Sequence, residues 1–162
     1  MLTVSPLHDD TKDVFYKLFE EYYLELGCDD DIPHLFKEYI LPDILAGLVY
    51  ADILKDGETY AGFILYQRDD INNDWNLKEG WGDVREIFVL PSRRRQGLGK
   101  FLLYTAEMKL RESGVEHCYC LPTITAEEFF KQCGYTDSGV YNPEMDCNVF
   151  EKLSLLNGDC CK

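Results

Sequence analysis

The sequence predicts an α/β fold in which a mixed sheet carries helices on both faces. Three observations point there. Segments with apolar residues at helical spacing alternate with short runs rich in β-branched and aromatic residues. A basic, glycine-containing turn after Pro91 joins a strand pattern to a helix pattern. No repeat or linker interrupts the 162 residues, so the layout is one domain over 1–156, with 157–162 left as a mobile tail.

The elements follow in order. Leu2 to Leu7 reads as a first strand. Asp9 or Asp10 caps a helix that places Val14, Phe15, Leu18, Phe19, Tyr22 and Leu26 on one face before Gly27. A second helix, Leu35 to Ile44, bends or ends near Pro42. Leu48 to Leu54 and Glu58 to Gln67 form a hairpin around Asp56-Gly57. Asp69 to Gly82 is a polar loop, and Asp83 to Leu90 the next strand. Gly97 to Ser113 repeats Leu98, Leu102, Ala106 and Leu110 at helical steps. A strand at Val115 to Leu121 precedes a helix opened by a Thr125/Glu128 capping box and burying Ala126, Phe129, Phe130 and Cys133. Ser138 to Tyr141 and Cys147 to Leu153 are the last strands, turning at Asn142-Pro143-Glu144.

A formal net charge of -14 argues against nucleic acid or an anionic membrane as partner, since both attract basic surfaces. It favours a cationic partner, although an excess of carboxylates equally keeps a chain soluble. Seven cysteines lack paired CxxC spacing, so reduced thiols and no metal site are expected, with Cys160-Cys161 in the tail. No basic start leads into an apolar run and no segment has the length of a membrane span, so a cytoplasmic protein is expected.

Positive charge is nonetheless concentrated: Arg93, Arg94, Arg95, Lys100, Lys109 and Arg111 lie together in an otherwise acidic chain. The run Glu86-Ile87-Phe88-Val89-Leu90-Pro91-Ser92-Arg93-Arg94-Arg95-Gln96-Gly97-Leu98-Gly99-Lys100 leads from strand through basic turn into helix. The first amides of a helix lack internal partners and carry the positive end of its dipole. Gly97 and Gly99 let a phosphate approach the backbone, though the same run also reads as an ordinary glycine-containing helix start. A dinucleotide fingerprint would need a third glycine where Leu102 stands, and a Walker loop would need a GK[ST] that is absent.

The pattern Arg94-x-x-Gly97-x-Gly99 after an apolar strand end resembles the pyrophosphate loop of the GNAT superfamily of acyl-CoA-dependent N-acetyltransferases. A second motif of that family, a small residue followed by a helix ending aromatic-aromatic-x-x-x-Gly-aromatic, is matched by Ala126 and Phe129-Phe130-Lys131-Gln132-Cys133-Gly134-Tyr135. The resemblance implies a mostly antiparallel central sheet of about six to seven strands flanked by about four helices. It implies acetyl-CoA as co-substrate, held by Ile87, Phe88 and Val89 along the pantetheine arm and by Arg94, Arg95, Gln96, Gly97, Leu98, Gly99 and Lys100 at the diphosphate. Thr123 stands where the family usually has Asn, and Phe130 where many members carry the Tyr that protonates the leaving thiolate. Both are cofactor-binding candidates, and Phe130, which has no proton to give, equally fits a packing role.

An amine acceptor brings its own requirement. An alkyl amine with pKa about 10.4 is protonated at neutral pH, and freeing it takes roughly 4–5 kcal/mol, so a base or water relay is needed. Glu86 and Asp83 are the carboxylates placed for it, with Glu86 preferred; three residues apart, they face opposite sides of a regular strand. Glu86 could instead pair with Arg85 or Arg95. Backbone amides near Ile87 to Val89 would polarise the thioester. The acceptor side holds Asp29-Asp30-Asp31, Asp69-Asp70 and Asp74, which suit either a cation or solvent. The expected activity is acetyl transfer to a primary amine of a small molecule or peptide; the alternative is a CoA-binding sensor that has lost turnover.

Overall fold

The computed structural model describes residues 1–155, so the tail, with Cys160 and Cys161, lies outside the described residues. Seven strands form one sheet in the order β1-β2-β3-β4-β5-β7-β6: β1 Leu2–Pro6, β2 Tyr50–Asp56, β3 Thr59–Arg68, β4 Gly82–Val89, β5 Cys118–Cys120, β6 Thr136–Asn142 and β7 Cys147–Lys152. β4 and β5 pair in parallel, whereas β1/β2, β5/β7 and β6/β7 are antiparallel, which gives the mostly antiparallel sheet expected. The helices are α1 Lys12–Glu25, the bent run α2 Ile32–Leu35 to α3 Leu41–Leu45, α4 Leu98–Glu112 and α5 Glu127–Gln132. The chain divides into two compact units, Met1–Leu65 with Glu86–Leu103, and Tyr66–Arg85 with the chain from Tyr104 onward.

In the first unit, α1 buries Phe15, Leu18 and Phe19, spaced by three and four residues on one helix face. They join Ile53, Phe63, Leu65 and Phe88 in a core rich in tilted and edge-on ring pairs, such as Phe15 on Phe63 with centroids 5.1 Å apart. The start of α1 differs from the sequence reading. Asp9 and Asp10 lie in a 3₁₀ turn, closed where His8 N donates to Thr11 Oγ1 at 3.0 Å, and the α-helix begins at Lys12. Asp31 caps α2 by accepting from His34 N at 3.1 Å. Between α2 and α3 lies a π turn, Phe36–Ile40, in which Leu41 N–H donates to Phe36 O. Pro42, next in the chain, has no N–H and its ring crowds the carbonyl four residues back, so the regular ladder cannot continue there.

In the second unit, β5 is shorter than its sequence pattern. Val115 N–H caps α4 by donating to Leu110 O at 3.0 Å, which leaves only Cys118–Cys120 to pair. β6 and β7 bracket the turn after Asn142, with an irregular register between Asp137 and Tyr141. The capping box proposed for α5 does not form: Ala126 is the N-cap, and Thr125 Oγ1 lies 3.2 Å from Thr123 Oγ1. Phe130 and Cys133 are buried there as expected, while Ala126 and Phe129 are half-buried.

Two polar networks stiffen this unit. Glu107, 5% exposed at its side chain, accepts from Lys152 Nζ at 3.0 Å and from Tyr135 Oη at 2.9 Å. Burial raises its carboxyl above the ordinary range, against the opposing pull of Lys152. The second network anchors the 69–81 loop. Asp69, 1% exposed, accepts from Leu77 N and Lys78 N at 2.9 Å each, from Tyr119 Oη at 2.6 Å and from Gln67 Nε2 at 2.9 Å. Asp69 is therefore a buried loop anchor, not the acceptor-facing carboxylate its acidic neighbourhood suggested.

Candidate active site

Strand β4 ends at Val89 and the chain turns through the 3₁₀ segment Pro91–Arg93 into α4. Arg95 takes φ 60 and Gly97 φ 79, so two left-handed residues curl the turn. For Arg95 that conformation costs about 1–2 kcal/mol, the kind of strain kept where a backbone shape has a use. The curl has a clear effect on hydrogen bonding. Among the described residues no backbone N–H from Arg95 to Lys100 donates to a protein acceptor, and the first that does is Phe101 N, to Gly97 O at 3.1 Å. Six consecutive amide donors at the positive end of a 15-residue helix make a ready anion cradle. Leu98 is buried and pins the start of α4, whereas Arg95, Gln96 and Lys100 are exposed and make no hydrogen bond or ion pair among the described residues. Gly99, the second residue of α4, has no positive φ, so within the motif the left-handed backbone falls on Gly97 among the glycines.

Arg94 serves the loop differently from its neighbours. Its guanidinium donates to Glu25 Oε1 and Oε2 at 2.7 and 2.6 Å, its Nε to Val89 O at 2.9 Å, and it lies over the Phe88 ring at 5.6 Å. The hydrogen bonds from Arg94 hold the Glu25 carboxyl below its ordinary range. Arg94 thus ties the loop to the end of α1 and to the strand, with its charge already matched.

Ile87, Phe88 and Val89 lie beyond the parallel pairing of β4 with β5, whose last partners are Val84 and Cys120. The Phe88 ring is buried in the aromatic core, against Tyr22 at 5.7 Å. Its carbonyl oxygen would stand 2.2 Å from a Cβ on Gly62, so a glycine is needed on β3 for the strands to approach this closely.

The two carboxylates of β4 have separate surroundings. Glu86 is half-buried in the first unit, and Tyr23 Oη donates to its Oε1 at 2.8 Å. Asp83 is 7% exposed in the second unit, paired in register with Tyr119. The charge of Asp83 and a hydrogen bond to it are among the causes, after burial, that push the Tyr119 phenol far above its ordinary range. The pairing of Glu86 with Arg85 or Arg95 is not what the fold builds: Arg85 donates to Gln67 Oε1 at 3.2 Å, and Arg95 is unpaired among the described residues. Thr123 is exposed, and Phe130, 4% exposed, packs edge-on against Phe129 and Tyr135 at 5.2 and 5.3 Å. Burial raises the Cys118 and Cys120 thiols well above the ordinary range, which makes them poor nucleophiles. Among the described residues no cluster could hold a metal ion, and no helix is long and apolar enough to cross a membrane.

Sequence reasoning missed Tyr23 and Glu25. Their signal was present in the last turn of α1, where polar groups cap an otherwise apolar aromatic face, but their partners lie 63 and 69 residues away.

The structure resembles that of the PaiA N-acetyltransferase from Thermoplasma acidophilum, solved in complex with coenzyme A, with TM-score 0.74 and 14% identity over 94% of this chain and 99% of that one. It also resembles a GNAT-family acetyltransferase from Staphylococcus aureus Mu50, with TM-score 0.72 and 17% identity over 94% and 98% of the two chains. A GNAT-family acetyltransferase from Brucella melitensis, solved with acetyl-CoA, aligns with TM-score 0.62 and 17% identity over 84% and 83%. No curated protein matches the sequence. The family model described as acetyltransferase (GNAT) family matches residues 12–135, from the start of α1 through the glycine loop to Tyr135, and the chain belongs to that family.

Proposed function

We propose that this acetyltransferase moves an acetyl group from acetyl-CoA to a primary amine of a small molecule or peptide, by direct attack within a ternary complex. The observation that carries the reading is the run of amide donors from Arg95 to Lys100, shaped by Arg95 and Gly97 and anchored through Arg94. A diphosphate accepts several hydrogen bonds there. At about 1.5–3 kcal/mol each for charge-assisted bonds, three or four supply much of the ~8 kcal/mol of micromolar binding. The coenzyme A and acetyl-CoA held by two of the similar structures support the same ligand here. Arg95, Gln96 and Lys100 add exposed polar groups, Gly97 and Gly99 give access, and Ile87 to Val89 offer backbone along the acyl arm.

Glu86 is the base in this reading. It precedes the backbone that would hold the thioester, and it is oriented by Tyr23, whereas Asp83 is buried against Tyr119. Glu86 takes a proton from the ammonium, the freed amine attacks the thioester carbon, and the tetrahedral adduct gives up a second N–H proton to water as it collapses and its C–S bond breaks. A proton then reaches the departing thiolate through water or another donor, since Phe130 has none. The buried free thiols suit a reducing, cytoplasmic setting, and direct attack makes no use of them.

The test is Glu86→Gln, assayed for kcat/KM across pH with an amine identified by screening primary amines for thiol release. Acetyl-CoA affinity should persist while kcat falls by about 10²–10⁴, with partial recovery as rising pH neutralises the amine. If Asp83→Asn alone shows that loss and recovery, the base is Asp83.

A further inference from the structure

Glu86 meets a tyrosine pair on α1. Tyr23 Oη donates to its Oε1 at 2.8 Å, and the Tyr23 ring is packed between Phe19, at 4.6 Å, and Tyr22, at 5.1 Å. Tyr22 in turn packs on Phe63 at 5.8 Å and on Phe88 at 5.7 Å. The phenol that reaches Glu86 therefore sits on a ring clamped by the core. Two residues further along α1, Glu25 holds Arg94 of the loop.

We propose that Tyr23 is a positioning residue for the acetyl-transfer reaction: its phenol fixes the Glu86 carboxylate and stabilises the ionised form that accepts the amine proton. A hydrogen bond donated to a carboxylate favours the charged state, the form that can accept a proton, and here it opposes the effect of burial on a half-buried carboxyl. Neighbouring charged groups are engaged elsewhere. Glu25 is neutralised by Arg94, Arg85 is turned to Gln67, and Tyr22, whose phenol also hydrogen-bonds Glu86, stays protonated, raised by burial first and then by the charge of Glu86 and that hydrogen bond. The last turn of α1 then orders both halves of the site, Tyr23 the base and Glu25 the loop arginine.

The inference rests on Glu86 being the base, and the experiment separates the two. The pH dependence of kcat/KM is measured for wild type, Tyr23→Phe and Glu86→Gln, using acetyl-CoA and the first primary amine that turns over, with acetyl-CoA Kd and melting temperature as controls. Tyr23→Phe keeps the ring and its packing. It should move the acidic limb up by about one pH unit, recover most of its activity above that limb, and leave acetyl-CoA affinity within about twofold. Wild-type behaviour in Tyr23→Phe, or an activity loss equal at every pH, overturns the role of Tyr23 while Glu86 stands. An acidic limb that survives in Glu86→Gln, or no turnover with any amine, overturns the base reading and this inference with it.

Discussion

Replacing Gly97 with alanine separates the backbone requirement of the loop from its ligand. Gly97 has φ +79, and a Cβ there would meet nothing within 4 Å, so the protein loses only the left-handed backbone preference, about 1–2 kcal/mol. At about 2–4 °C per kcal/mol for a chain of this size, melting should fall by roughly 2–8 °C. Gly57, in the β2–β3 turn, has φ +59 and equally open surroundings, so Gly57→Ala is a matched control with a similar stability loss. The two variants diverge in binding. If the loop backbone holds a diphosphate, a methyl group at residue 97 should disrupt at least one charge-assisted hydrogen bond of about 1.5–3 kcal/mol, weakening acetyl-CoA binding roughly 10- to 150-fold. Calorimetric titration of both variants, alongside melting curves, reads the difference. Equal acetyl-CoA affinity in Gly97→Ala and Gly57→Ala would refute the assignment of the loop as the anion site.

Gly62→Ala drives a Cβ to within 2.2 Å of Phe88 O and 3.2 Å of Val89 Cα, both backbone atoms that cannot rotate away. Stability should drop by about 3 kcal/mol, the upper part of the overpacking range, and denaturant unfolding would show it. Lys152→Met leaves Glu107 buried without its counter-charge, so the expected loss at neutral pH is about 3 kcal/mol. The Glu107 carboxyl is already raised on folding, and loss of Lys152 raises it further. A carboxyl raised on folding opposes folding when ionised, so the deficit of Lys152→Met should be largest above that pKa and shrink as pH falls through it. Urea melts at several pH values between neutral and acidic check the direction.

The local parts of the fold were legible because short-range chemistry sets them. Asp56-Gly57 closes the hairpin, and the glycine loop follows its strand, as the sequence implied. The caps of α1 and α5 were local misses, whereas what escaped at the site depends on partners distant in the chain. Asp69 reads as one more surface acid, and only the fold brings Gln67, Leu77, Lys78 and Tyr119 around it. Arg94 was legible as a member of the loop, but not its commitment to Glu25. Glu86 could be chosen as a base from its place before the loop, whereas the partner of Tyr23, 63 residues along the chain, could not be read from the helix that carries it. The late start of β5 reflects a competition that hydrophobic pattern cannot decide, since Val115 suits a strand yet its N–H caps the helix before it.

The most direct test of amine acetylation is thiol release from acetyl-CoA across a panel of primary amines, with mass spectrometry of the products. Acetyl-CoA should bind, thiol release should depend on an amine, and an equal amount of product should be acetylated on nitrogen. Acetyl-CoA binding with no amine-dependent thiol release from any member of the panel would contradict amine acetylation and point to a CoA-binding sensor.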